Sequence, residues 1–277
     1  MVVRTPSMRT MTADLPDMLR LTVLGCSTAA PHPASPAAGF LVEWGATGLM
    51  LDAGQGTIRR LQRLRDPHGL SALVIGHMHA DHYLDVVGLR YLFAWGEATP
   101  DPLPVWLPPG GKVKLDQLAS AISERQGFFD AAFDVNEYTP GESFGVGPLT
   151  VRPLLAQHYV PASGVVVEAP DGSRLAYTGD TGPTDEVVEA VRGADLLLIE
   201  AALRLTSHDD PRRGHLTPEE AIELATRAGV RQALLVHYQP ARHGEIAAMC
   251  SAAGPWIRPA LAGLTVTVKP AEVPGSR

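Results

Sequence analysis

The greatest density of chemically able side chains lies at His77-Met78-His79-Ala80-Asp81-His82, where four potential metal ligands fall within six positions. The segment follows the apolar run Leu73-Val74-Ile75 and Gly76, a residue suited to a tight exit turn. A strand ending near Gly76 puts His77, His79, Asp81 and His82 in a loop at its C-terminal end, where side chains can converge on one point. Imidazole mixed with carboxylate suits Zn²⁺, Mn²⁺ or Fe²⁺ better than Ca²⁺ or Mg²⁺, which prefer oxygen cages. Burying such groups without a cation is costly. Cys26 and Cys250 are the only cysteines, too few for a thiolate metal site or a disulfide framework, so His and carboxylate must hold any metal.

The HxHxDH arrangement resembles the signature of the metallo-β-lactamase superfamily, and the likeness runs over nearly the whole chain. The resemblance implies an α+β fold, a four-layer αββα sandwich with a dinuclear metal site along one edge of its two sheets. It implies two divalent metal ions, Zn²⁺ first with Mn²⁺ or Fe²⁺ as alternatives, His77 and His79 serving one and Asp81 and His82 the other. Further ligands are sought where a His or Asp closes an apolar run: His158, Asp180 in Tyr177-Thr-Gly-Asp-Thr181, and His237 in Leu234-Leu-Val-His-Tyr238. By the resemblance His158 completes the first site, Asp180 bridges the two ions and His237 completes the second. A two-metal centre supplies a hydroxide nucleophile near neutral pH and clamps the oxygens of an in-line displacement at phosphorus. Asp81 is then a catalytic candidate, orienting the nucleophile or taking a proton.

A leaving alkoxide also needs an acid. His215 in Gly214-His-Leu-Thr217 resembles the His-Ser-Thr element of the tRNase Z branch, which implies His215 as proton donor and Glu200, at the end of Leu196-Leu-Leu-Ile-Glu200, as its orienting partner. His208 competes for the donor role. Leu51-Asp-Ala-Gly-Gln-Gly-Thr57 resembles the branch's Asp-x-Gly-x-Gly-Thr element, implying that Asp52 supports a metal ligand by hydrogen bonding. Cys26, at the end of an apolar run and without a partner motif, reads as a buried structural thiol.

The GHLT and LLVHYQP segments point to the phosphodiesterase side of the superfamily. tRNase Z enzymes carry a long arm that grips tRNA, whereas His158 and Asp180 stand too close in sequence to enclose one, and no other segment is Gly-rich and basic. With 23 Lys and Arg against 30 Asp and Glu the formal charge is −7, the wrong sign for a general nucleic-acid surface. The pattern resembles armless bacterial members related to atypical cyclic-AMP phosphodiesterases. The expected activity is therefore a dinuclear metal phosphodiesterase for a small phosphodiester, a cyclic nucleotide first. RNA 3′-end processing of the tRNase Z type, another lactone or ester hydrolase, and a non-catalytic nucleotide sensor are the alternatives.

The elements that must position these residues follow from length and patterning. The 277 residues are 45% hydrophobic and 19% charged, enough to bury a large core. No apolar run reaches the roughly 18–20 residues of a membrane span, and there is no secretory core segment, so a cytoplasmic protein without a membrane partner is expected. Homodimers are frequent in the superfamily, but no interface is legible. Residues 1–19 read as a flexible extension and 20–277 as a single hydrolase domain. Strands are expected at Leu21–Cys26, Gly39–Trp44, Gly48–Asp52, Ser71–Gly76, Leu103–Leu107, Leu149–His158, Gly164–Glu168, Leu175–Tyr177, Asp195–Glu200, Gln232–Tyr238 and Leu264–Val268. A helix should start at the Thr217-Pro-Glu-Glu220 cap and stop at Gly229, and another should run from Asp185 to Arg192. The Arg59, Arg60, Arg63 and Arg65 run reads as the solvated face of a helix after Asp52, with phosphate contact open to one of them. Tyr83, Tyr91, Phe93 and Trp95 read as the packing face of a helix after the metal loop.

Overall fold

The computed structural model describes residues 17–94, 101–209 and 212–271. Six strands come first: β1 (Leu19–Gly25), β2 (Gly39–Trp44), β3 (Thr47–Leu51), β4 (Ala72–Val74), β5 (Leu103–Leu107) and β6 (Phe133–Glu137). Seven follow: β7 (Phe144–Val146), β8 (Leu149–Leu155), β9 (Ser163–Glu168), β10 (Arg174–Tyr177), β11 (Leu196–Glu200), β12 (Ala233–Val236) and β13 (Ile257–Pro259). The last, β14 (Thr265–Val268), returns to the first group. One seven-stranded sheet has the order β14-β1-β2-β3-β4-β5-β6, the other β13-β12-β11-β10-β9-β8-β7. In both, antiparallel hairpins give way to parallel strands fed by helical crossovers, β3 to β6 in the first and β10 to β13 in the second.

The seven helices are α1 (Thr57–Leu61), α2 (Ala80–Tyr83), α3 (Val86–Ala94), α4 (Gly111–Ile122), α5 (Asp185–Ala190), α6 (Pro218–Ala228) and α7 (His243–Ala253), counted among the described residues. Side-chain parity along the strands explains the layering. Phe40, Val42 and Trp44 of β2 pack into a central cluster with Val165, Leu175, Leu196 and Leu198 of the other sheet. Leu41 points the opposite way, into a cluster with Ile58 and Leu61 of α1, Leu89 and Phe93 of α3 and Leu115 of α4. On the far side Leu197 and Ile199 pack with Val187 of α5, Leu224 of α6 and Ile246 of α7. Both faces of both sheets are therefore covered, and the molecule is a four-layer αββα sandwich, which is why β2 and β11 are buried at every position.

Local chemistry sets the boundaries. The Thr217 side chain accepts from the Glu220 amide while the Glu220 carboxylate accepts from the Thr217 amide, Pro218 opens α6, and Gly229 ends it at φ 62°. The regular helix ends at Leu61 and runs on as turns, Arg65 N donating to Leu61 O at 2.9 Å, until Asp66 turns extended ahead of Pro67; the expected arginine helix is only Thr57–Leu61. Arg65 is then not a solvated charge but an ion-pair partner of Glu43 at 3.2 Å. β8 stops at Leu155, short of the expected His158, where Ala156 N donates to Ala162 O and closes a loop. β1 takes in Leu19, the last residue assigned to the extension; residues 1–16 lie outside the described residues, as does Trp95. The polar strand β6, the short strands β7 and β13, and helices α4 and α7 were not expected.

Candidate metal centre

Asp52 follows β3 in left-handed backbone at φ 58°, a conformation costing about 1–3 kcal/mol unless its surroundings enforce it. They do. Its Oδ1 accepts from the Gly76 amide at 2.7 Å, and its Oδ2 accepts from the Tyr177 hydroxyl and from His82 Nδ1, both at 2.8 Å. The loop after β3 also packs on the metal loop through backbone, Ala53 N donating to His82 O at 2.6 Å. The HxHxDH segment leaves β4 through Gly76, and α2 begins at Ala80, so Asp81 and His82 occupy its first turn. His237 stands one residue past β12, again left-handed at φ 51°.

These elements bring all seven expected ligands into one cluster. His79 Nδ1 lies 3.1 Å from His77 Nε2 and 3.0 Å from His158 Nε2. Asp81 Oδ2 lies 3.0 Å from His237 Nε2 and 3.7 Å from His82 Nε2. Asp180 stands between the two groups, its Oδ2 3.7 Å from His77 Nε2 and 3.3 Å from His82 Nε2, its Oδ1 3.3 Å from His237 Nδ1.

The donor set fits cations. His82 Nε2, Asp180 Oδ1 and His237 Nδ1 are buried without a hydrogen-bond partner, an arrangement that is costly unless an ion satisfies it. Burial holds the His77 imidazole well below the ordinary histidine range and takes His158 down to about 4, so both are neutral ligands with free lone pairs at pH 7. Burial would raise the Asp180 carboxyl, but the surrounding histidines, His237 and His82 foremost, hold it well below its usual range. Asp81 is likewise lowered, against its burial, by His237 and His82. His82 is buried too, yet the charges of Asp180 and Asp52 hold it well above the usual range; a cation at Nε2 displaces that proton. Asp52 on Nδ1 of His82, and the Gly214 carbonyl 2.8 Å from Nδ1 of His158, leave the Nε2 atoms as the donors.

Beside this cluster, His215 Nδ1 lies 2.9 Å from Glu200 Oε1 and 3.9 Å from Asp180 Oδ2. Glu200 is fully buried and fixed by the Thr181 amide at 3.0 Å and the Ala202 amide at 2.9 Å. Burial alone would lower His215, but the hydrogen bond and charge of Glu200, with Asp180 and Asp209, push it up to about 9. His208 stands exposed in a 3-10 turn and belongs to none of the donor groups among the described residues. Three contributors carried no separate expectation. Tyr177 holds Asp52; Tyr159 has its ring 4.7 Å from that of His158; Asp209 accepts from the Gly214 and His215 amides at 2.9 and 3.1 Å. Tyr177 opens the Tyr-Thr-Gly-Asp run that drew attention to Asp180, whereas nothing in the spacing marks Asp209.

Residues 47–238 match the model of the β-lactamase superfamily domain. The chain belongs to the metallo-β-lactamase superfamily. A Mycobacterium leprae relative is 39% identical over 227 residues, 80% of this chain and 78% of that one. A ribonuclease Z of Mycobacterium bovis is 29% identical over 246 residues, 81% and 87% of the two chains. Among solved structures, the metallo-β-lactamase fold protein YhfI of Bacillus subtilis superposes with a TM-score of 0.79 at 21% identity, covering 91% of this chain and all of the other. The αββα sandwich and its metal-loop edge are thus those of a metallo-β-lactamase superfamily hydrolase. No helix among the described residues of this superfamily member is long and apolar enough to cross a membrane.

Proposed function

We propose that the protein is a dinuclear metal phosphodiesterase acting on a small phosphodiester, a cyclic nucleotide first. His77, His79 and His158 hold one ion, Asp81, His82 and His237 the other, and Asp180 both, with Zn²⁺ favoured by a donor set dominated by imidazole. Two divalent cations bound there would supply Lewis-acid polarisation of the phosphoryl oxygens and make bound water acidic enough to ionise near neutrality. Asp81, kept ionised, orients the nucleophilic water or accepts its proton.

The observation that carries the reading is the His215–Glu200 pair at 2.9 Å beside Asp180. A site that only senses a nucleotide has no use for an imidazole paired to a buried carboxylate next to the reacting group. Because Glu200 engages Nδ1, His215 Nε2 carries the transferable proton, which passes to the leaving alkoxide as the P–O bond breaks. The buried carboxylate fixes the ring and stabilises the imidazolium until that moment.

A small substrate is favoured because residues between His158 and Asp180 form only the β9–β10 hairpin, leaving no arm there to grip RNA. The likeness to ribonuclease Z favours a second reading, RNA 3′-end processing. Purified metal-loaded protein should hydrolyse bis-p-nitrophenyl phosphate and a cyclic mononucleotide. Opening of lactones or thioesters with no diester cleaved refutes the proposal, and cleavage of precursor tRNA with steep salt dependence supports the second reading instead.

A further inference from the structure

A cleft of about 350 Å³ is walled by the proline-rich loop after β1 and by the start of α1. Its lining contains Arg59, Arg60, Arg63 and His32 and no Asp or Glu. In a chain of net charge −7, a concavity with three guanidinium groups and no carboxylate is a local inversion of sign. The three arginines differ in what occupies them. Arg60 donates to the Ala262 carbonyl at 2.9 Å and anchors the helix to the loop before β14. Arg59 and Arg63 are exposed four residues apart, and neither guanidinium has a hydrogen bond or ion pair among the described residues.

Both walls are tied to the metal ligands. Gln55 and Gly56 line the cleft, while Asp52, three residues before Gln55, bonds His82; a fully extended chain of that length spans at most about 11 Å. Across the cleft, the proline-rich wall begins two residues after Cys26, whose carbonyl accepts from the amide of Tyr238, the neighbour of His237. Both walls of the cleft are thus continuous with loops bonded to His82 and to the neighbour of His237.

We propose that this cleft is an anion subsite in which Arg59 and Arg63 take a second phosphate of the substrate, making a dinucleotide with a phosphate beyond the scissile diester the favoured class. This rests on the phosphodiesterase reading and narrows it. Guanidinium forks match phosphate oxygens bidentately, and the cleft supplies two of them unengaged.

The test compares two linear substrates that differ only by one group, 5′-phosphorylated diadenylate and diadenylate without that phosphate. Metal-loaded wild type should show kcat/KM about tenfold or more higher for the phosphorylated compound, and in the Arg59→Ala, Arg63→Ala double variant that ratio should collapse toward one. The Arg59→Lys, Arg63→Lys variant, which keeps charge but loses the fork, should retain an intermediate ratio. A wild-type ratio near one, or a ratio unchanged in the alanine variant, overturns the subsite. If neither compound is cleaved, calorimetric binding of the same two compounds decides the subsite, and the phosphodiesterase reading itself falls only if bis-p-nitrophenyl phosphate and cyclic mononucleotides are not cleaved either. Tighter binding of the phosphorylated compound that is lost in the alanine variant upholds it, and equal binding refutes it.

Discussion

His215 Nδ1 and Glu200 Oε1 are 2.9 Å apart, while the same nitrogen is 3.9 Å from Asp180, so the imidazole is paired to a fully buried carboxylate at the margin of the donor cluster. His215→Ala should therefore lower kcat by about 10²–10⁴-fold, the range of a lost general acid. Metal content by elemental analysis should stay near wild type. Loss of metal together with activity would reassign His215 as a ligand. Glu200→Gln should lower the alkaline limb of the pH–rate profile, since the carboxylate is what holds the imidazolium above its ordinary range.

Asp52 is bonded to three partners, Gly76, His82 and Tyr177, and binds His82 on the nitrogen away from the cluster. Asp52→Ala should weaken metal affinity about 10–100-fold, read by competition with a chromogenic chelator, because His82 loses its fixed tautomer. Tyr177→Phe, which removes one of the hydrogen bonds to the same carboxylate, should produce a smaller loss in the same direction. Equal affinity in wild type and both variants would show that the metal loop orients itself.

A side chain at Gly54 would start 1.9 Å from the Asp81 carbonyl and 2.8 Å from that of Ala38, both backbone atoms that cannot swing aside. Gly54→Ala should lower thermal stability by overpacking worth about 1–3 kcal/mol or more and weaken metal binding through displacement of Asp81. Gly88, exposed on α3 with nothing within 4 Å of an added Cβ, is the contrast. There alanine should stabilise by roughly 0.5–1 kcal/mol, since it removes backbone freedom from the unfolded chain only. Differential scanning calorimetry of the two variants distinguishes the outcomes.

The Cys26 thiol is 3% exposed, and burial pushes it up to about 11 despite its hydrogen bond to Ser35. At pH 8 roughly one folded molecule in a thousand carries the thiolate, so alkylation of native protein should be slow and should accelerate about tenfold per pH unit toward pH 11. The folded thiol holds its proton more tightly than the unfolded one. Its contribution to stability is thus complete below about pH 9 and lost as the pH climbs to about 11. Rapid labelling at pH 8 by iodoacetamide, followed by mass spectrometry, would show that the site opens.

Much of the metal centre was legible because its chemistry is concentrated. Four donors in the His77–His82 segment announce themselves, and His237 and Asp180 each stand just past an apolar run that became a strand. Gly39–Trp44 and Leu103–Leu107 form strands at the expected bounds, and the Thr217 cap and Gly229 stop delimit α6 as their hydrogen-bonding chemistry requires. Where tertiary contacts decide, the pattern ran out. Phe133-Asp-Val-Asn-Glu137 is an edge strand stabilised by pairing with β5, not by its own hydrophobicity. Helix α7, His243–Ala253, buries only Ile246 and Cys250 and so carries little periodic signal. His158 reaches the cluster from a loop rather than a strand end, and its ring is set by a Gly214 carbonyl distant in sequence, which no local pattern reveals.

The pairing of β14 with β1, Leu19 opposite Val268, sets the order in which the molecule can be completed. During translation the edge of β1 is free to seek other strands until Thr265–Val268 has left the ribosome. His237 also emerges long after His77, so the nascent N-terminal half can offer cations only part of their cage. Closure of the first sheet therefore follows synthesis of the last expected metal donor, and release of a chain that stops before Thr265 would leave an adhesive edge exposed in the cell.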